Sequence, residues 1–423
     1  MSPRPRLLFL SQTLPYPPVD GVTLRTFHTL RILSDAFDID AVCFVRRKKG
    51  LRARSVDAAR SALAPLADVS AFPIPQQDSR LRFAWDHLRS VVEGRAYTYY
   101  LYESSSFGER VEDLVRHGSH SLYHIDTLDL SRYLDVLDPA RTVCVHHNVE
   151  SALLDRRAAI ETGRARAAYL THQAGLMRRE ERRWCGRLAA NVAVSEDDAA
   201  SLAALDPRGR YWVFPNGVDT DEYRPGPADA VRDEIVFVGG STWFPNRDAL
   251  DFFRADILPE LRAAGCDAPV SWVGHCTDRQ KRDLSSPDLV LTGFVPDIRP
   301  HVHRAGCYVV PLRVGGGTRL KIVHAWAMGK AVVSTSVGCE GLDARDGENL
   351  LVRDDPGEFA RAVKEVLENR NLRVRLERGG RATAETTYAW DVIGDAMRHR
   401  YLGLLTPNAI DAPAGELEGL HGA

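Results

Sequence analysis

VVPLRVGGGTRLKIVHAWAMGKAVVSTSVGCEGL, residues 309–342, reads as strand, glycine turn, helix, glycine stop, strand and a second glycine turn. Gly315, Gly316 and Gly317 let the backbone approach a ligand closely and leave amide groups unobstructed. Thr318 is placed to cap a helix starting at Arg319. Such a turn is a pocket for an anion. Phosphate suits it, because a helix N-terminus carries unpaired amides and about half a positive charge, to which Arg319 and Lys321 add full charges. A plain strand-to-helix turn uses the same residue types, and both readings stand here. Beyond the helix, Gly329 is placed as a C-terminal cap, and Ala331 to Thr335 is a β-branched run of the kind buried between helices. The pattern predicts an α/β fold with parallel strands and a ligand crevice at their carboxyl ends.

On these residues the segment resembles the nucleotide-sugar site of retaining glycosyltransferases of family 4 (glycosyl transferases group 1), which have the GT-B architecture of two Rossmann-like, doubly wound domains facing a cleft. Most members carry two glutamates eight positions apart across this turn and helix, the second followed by Ala-Met-Ala-x-Gly-x-Pro-Val-Val. Here AWAMGKAVVSTSVG matches, while Gly316 and His324 occupy the glutamate positions. A branch of the family reading GGGTRLKILEAMAMGKPVVST also has glycine at the first, so His324 is the departure. In the family the second glutamate accepts hydrogen bonds from both ribose hydroxyls, which a neutral imidazole cannot do. Lys321 and His324 are three apart on one helix and share a face, so they are expected to address one ligand. His324 as a packed helix residue is the competing reading.

The resemblance extends over nearly the whole chain. Arg6 to Leu10 and SQTLPYPPVDGVTLRTFHTLRIL resemble the family's opening strand, loop and helix, which sets Gly21 opposite the donor diphosphate and Arg25 within reach of a phosphate or the acceptor. A surface arginine is the alternative for Arg25. VCVHHNVESALLDRR, residues 143–157, resembles a strand-end block in which His147, Asn148 and Glu150 face the acceptor; a turn with Asn148 or Ser151 as helix cap fits equally. In YHIDT, residues 123–127, Asp126 matches the position of a family histidine near the sugar or acceptor and is assigned a catalytic role as base or orienter, with His124 on the same strand face; a buried strand-end pair that only hydrogen-bonds to a loop fits equally. VFPNGVDTDEYRP, Val213 to Pro225, resembles the interdomain linker. The second domain opens with the strand Ile235–Val238. Gly240 and Ser241 stand where relatives carry a phosphate-clamping Arg, so Arg319 and Lys321 take over that role, with Arg247 a third candidate. SWVGH, residues 271–275, reads as a central strand, and backbone groups at Phe294 and Val295 match the base-holding loop.

The expected organisation is 1–215 as the acceptor domain, 216–387 as the donor domain, 388–405 as a helix crossing back to the first, and 406–423 as a disordered tail. The chain has 423 residues, too many for one ordinary core, and a net charge of −2, which excludes a strongly basic nucleic-acid binder. One dense basic run, Arg46 to Arg54, suits either a solvated loop or contact with anionic lipid. Seven cysteines lack CxxC spacing, and neither a secretory leader nor a membrane span is legible, which suits a cytoplasmic setting. The histidines form no recognised metal motif.

The resemblance therefore implies a metal-independent glycosyltransferase without a resident cofactor. A nucleotide-diphosphate sugar would be its co-substrate, and a small molecule, glycan or glycolipid its acceptor. Catalysis would rest on Arg319, Lys321 and the amides of residues 316–318, stabilising the departing phosphate. Two alternatives remain: a nucleotide-sugar epimerase, whose acid and base carboxylates are not located, and a non-catalytic partner or scaffold that has lost both glutamates.

Overall fold

The computed structural model describes residues 4–18, 21–46, 53–227, 233–315 and 319–406. The short apolar, β-branched runs form two sheets in which every paired strand is parallel, as expected for strands covered on both faces by helices. The first sheet contains β1 (Arg6–Ser11), β2 (Asp38–Val45), β3 (Asp68–Pro73), β4 (Leu122–Ile125), β5 (Thr142–Val145), β6 (Ala190–Ala193) and β7 (Tyr211–Val213), in the order β3-β2-β1-β4-β5-β6-β7. The second contains β8 (Ile235–Val238), β9 (Val270–Val273), β10 (Leu289–Gly293), β11 (Cys307–Val310), β12 (Val332–Ser334) and β13 (Leu351–Val352), in the order β10-β9-β8-β11-β12-β13. Each sheet winds outward one way from its first strand and then reverses. The reversal falls between β1 and β4, where Leu7 lies opposite Leu122, and between β8 and β11, where Cys307 lies opposite Ile235. At such a switch point the loops leaving the two central strands diverge and open a crevice.

Two compact units result. One comprises the chain to Phe214 together with Gly394 onward, and the other is Pro215–Ile393. The last helix, Trp390–Gly403, starts in the second unit and continues into the first. There Tyr401 is fully buried and its hydroxyl lies 2.9 Å from His124 Nδ1. The core of the second unit centres on Phe237, Trp272 and Trp326, with the Phe237 and Trp272 rings stacked at 3.8 Å.

Around the opening stretch, the helix runs Leu320–Ala327, one residue later than the sequence suggests, with Arg319 at its N-cap position and no side-chain cap. The residues expected to form the amide pocket and cap, Gly316, Gly317 and Thr318, lie outside the described residues. Gly329 adopts φ +64°, which favours glycine, and a Cβ there would press on Pro225 Cγ at 3.2 Å. The basic run beyond Arg46 and the segment after Thr406 also lie outside the description.

Candidate functional site

In the second unit the sequence after β11 places two cations at the switch point. Lys321 Nζ donates to Asn246 Oδ1 at 2.7 Å and sits 4.3 Å from the centre of the Phe237 ring. Among the described residues no carboxylate pairs with it. Burial, reinforced by the nearby positive charge of Arg319, lowers its pKa to about 7. Arg319 is 4% exposed; its Nε donates to the Val337 carbonyl at 3.1 Å and its Nη2 lies 3.4 Å from Glu340 Oε2. Asn246, on the helix Phe244–Phe252, also donates through Nδ2 to the Gly240 carbonyl at 3.1 Å. Lys321 is thereby tied to the loop that leaves β8. At Gly240 an added Cβ would meet the His275 carbonyl at 3.1 Å, and at Gly274 it would meet Gly239 and Gly240 backbone at 2.7 Å. Glycine at these positions lets the loops after β8 and β9 touch.

His324 and Lys321 have different protein partners. The His324 ring stacks on Tyr223 at 4.3 Å with the ring planes almost parallel, and burial lowers its pKa to about 4, so the imidazole is neutral near pH 7. Lys321 reaches toward β8 and Asn246, whereas the His324 ring packs against the linker residue Tyr223. Arg247 also stands apart: it is exposed and lies 3.5 Å from Asp251. It lines an open depression of about 840 Å³ with Ser241, Thr242, Phe244, Thr277 and Gln280. Of the two residues assigned to a base-holding loop, Phe294 is 76% exposed, while Val295 packs on the core.

In the first unit a second cluster gathers where β1, β4 and β5 end. Asp126 is completely buried. Its Oδ2 accepts from Thr26 Oγ1 at 2.6 Å and Ser11 Oγ at 3.2 Å. His124 Nε2 and His147 Nε2 each lie 3.6 Å from its oxygens. Burial alone would raise the carboxyl pKa, but the neighbouring His147 and His124 side chains outweigh it and hold the group well below the usual carboxylate range. Arg25 is 2% exposed and donates from Nη2 to the Phe214 carbonyl at 2.9 Å, so it is not a surface arginine. Its pKa falls to about 10 through burial, opposed by Asp126 and Tyr401, and it remains charged. Gly21 begins the helix Gly21–Ser34 that carries Arg25 and Thr26. Asn148 Nδ2 donates to Glu150 Oε1 at 3.4 Å. Burial, with the charge of Asp129, raises the Glu150 pKa to about 8. Neither Asn148 nor Ser151 caps the helix Glu150–Ile160: Val149 holds the N-cap position, and Ser151 bonds Glu181 instead.

Asn246, Phe237 and Tyr223 in one unit, and Ser11, Thr26 and Tyr401 in the other, were not anticipated. Thr26 adjoins Arg25 in sequence, but the others meet the site from distant strands and helices, and a single sequence carries no signal of that. Among the described residues no group of three or more His, Cys, Asp or Glu side chains is arranged to hold a metal ion, and no helix is long and apolar enough to cross a membrane.

Residues 232–369 match the family model described as glycosyl transferases group 1. D-inositol 3-phosphate glycosyltransferase of Geodermatophilus obscurus is 30% identical over 240 residues, covering 51% of this chain and 52% of that protein. Phosphatidyl-myo-inositol mannosyltransferase of Mycobacterium tuberculosis is 27% identical over 264 residues, covering 58% and 66%. The chain thus spans between about half and two thirds of the length of these relatives. Among solved structures, sucrose-phosphate synthase from Thermosynechococcus elongatus superposes with a TM-score of 0.66 at 15% identity, covering 94% of this chain and 99% of that one. Anabaena HepE in complex with UDP and glucose gives 0.60 at 15% identity, covering 94% and 99%. At such identity these likenesses establish the fold, the GT-B pairing of two Rossmann-like parallel sheets. Within that fold, residues 232–369 carry a domain matching the glycosyl transferases group 1 family.

Proposed function

We propose that the protein is a glycosyltransferase that moves a sugar from a nucleotide-diphosphate donor, held by the second unit, to an acceptor held by the first, with retention of anomeric configuration and without a metal ion. The observation that carries this reading is Lys321, a half-buried amine with no carboxylate partner among the described residues, fixed by Asn246 and Phe237 beside the buried Arg319 at the sheet's switch point. A desolvated cation there is costly until an anion arrives. A donor diphosphate, whose negative charge grows as the sugar leaves, is the partner that repays it most in the transition state. The match to a group 1 domain over the same residues supports the assignment.

The donor base rests on less. HepE was solved with UDP, which makes a uridine nucleotide the first donor to test. In the first unit Asp126 is buried, so its role is to orient: held anionic, it fixes His147, which is the group left to meet an acceptor hydroxyl. Glu150, Asn148 and Arg25 complete that side. No resident cofactor is required, and the setting is cytoplasmic.

The test is incubation with a panel of nucleotide sugars and glycan, inositol and lipid acceptors, with the product's anomeric configuration read by NMR. Retained configuration in a product that forms equally with a chelator present is the expected outcome. Inverted product refutes retention, chelator sensitivity refutes metal independence, and an epimerised donor in the absence of acceptor identifies the other enzyme class.

A further inference from the structure

The helix Arg80–Glu93, RLRFAWDHLRSVVE, is folded inside out. A surface helix ordinarily buries its apolar stripe and shows its polar one. Here the buried positions are Asp86 and Ser90, both 0% exposed, and their polar atoms are satisfied within the first unit. Asp86 accepts from Arg82 Nε at 2.9 Å and Gln76 Nε2 at 3.1 Å. Ser90 Oγ donates to the Arg95 carbonyl and accepts from Gln173 Nε2, each at 2.7 Å. Facing solvent instead are Leu81 at 85%, Trp85 at 56%, Leu88 at 53% and Val92 at 74%. Their spacing of four, three and four residues sets them on one continuous stripe, with Val91 exposed at its side; Phe83, half exposed, lies on the opposite face against His87. Six of the chain's exposed large apolar side chains thus crowd fourteen residues, whereas scattered single ones would need no explanation.

Arginines border the stripe, some of them paired with carboxylates: Arg82 with Asp86 and Glu103, and Arg89 with Glu93 and Glu103. Arg80 is exposed at its start, Arg89 and Arg82 border its other edge, and the helix's acids are either buried (Asp86) or paired with arginine at the last turn (Glu93 with Arg89). The long helix Arg164–Trp184 runs parallel beside it: His87 meets Tyr169, and three residues on Ser90 meets Gln173. That register, traced backward, runs the exposed start of the second helix, with Arg164 and with Arg166 paired to Glu161, toward the Arg80–Phe83 end. An apolar stripe with a Trp, with the exposed Arg80 and Arg164 near its start, matches an anionic bilayer surface: the indole and aliphatic side chains enter the acyl boundary while guanidinium groups meet phosphates.

We propose that this face docks the first unit on anionic phospholipid. The proposal is independent of sugar transfer. It is tested by sedimenting the full chain with phosphatidylcholine vesicles, with and without phosphatidylglycerol, for the native protein, for Trp85→Ser/Leu88→Ser/Val92→Ser and for Arg80→Glu/Arg164→Glu. All five positions are exposed, so the variants are expected to keep the native circular dichroism and melting temperature. The native chain should bind the phosphatidylglycerol vesicles at least about tenfold more tightly than neutral ones, with binding weakened by salt. Each variant should lose about tenfold or more. Native protein that stays in the supernatant, or variants that bind as the native does, overturn the proposal. So does a sedimentation-velocity result in which the stripe holds a dimer together and the serine variant is monomeric, because the occupant would then be a second copy.

Discussion

Lys321 and Glu150 show opposite consequences of burial on single groups. Lys321 has a folded pKa of about 7 against about 10.4 in an unfolded chain. Across that interval the unfolded state binds more protons, so this residue makes stability rise with pH. Lys321→Met should flatten the rise and stabilise the protein by on the order of 1–3 kcal/mol below pH 7, read by urea denaturation at several pH values. A variant no more stable than native would show that the amine is solvated. Glu150, with a folded pKa of about 8 against about 4.3 unfolded, holds a proton in the folded state that the unfolded chain has released. Its contribution is present in full below about pH 4 and is lost as pH rises toward 8. Glu150→Gln should remove that slope, and an unchanged pH profile would place the loss elsewhere. For activity, Lys321→Ala should lower kcat about a hundredfold, with a smaller effect on KM, if the amine acts on charge that develops in the transition state.

At the scale of elements, the reading from sequence succeeded where a local pattern suffices. Ile235 to Val238 is a strand because a β-branched run fills a site buried on both faces, and Gly329 ends its helix because only glycine takes that conformation without strain. It does not reach what packing decides. Lys321 and His324 do share a helix, yet the register of that helix against β8 and the linker sends one to Asn246 and the other to Tyr223. The helix Arg80–Glu93 carries a periodic apolar stripe that by pattern alone is a core face; only the position of Asp86 and Ser90 in the structure turns it outward. The last helix is held in the first unit by Tyr401, whose hydroxyl partners the buried His124. Tyr401→Phe should therefore cost about 1–3 kcal/mol by leaving His124 Nδ1 unpaired, measured as a lower urea midpoint. No change would mean that the ring, and not the hydroxyl, makes the contact that matters.

For the whole molecule, two sheets of the same winding place chemistry at the same point in each. Asp126, Ser11 and Thr26 gather at the β1/β4 reversal, and Lys321, Asn246 and Gly240 at the β8/β11 reversal. The doubly wound sheets were implied by the resemblance carried by residues 309–342. The side chains that complete each cluster were not, since they converge from strands and helices far apart in sequence. The central claim is that the second unit binds a nucleoside diphosphate through Lys321. Its most direct test is a calorimetric titration of the native protein and Lys321→Ala with UDP, GDP, ADP and dTDP at pH 6 and pH 8, in buffers of different ionisation enthalpy. An anion favours the charged amine, so the native protein should bind one of these nucleotides selectively, take up a proton at pH 8 and bind more weakly there than at pH 6. The variant should bind more weakly and lose that pH dependence, whereas no binding of any nucleotide, or identical titrations for the two proteins, would contradict the account.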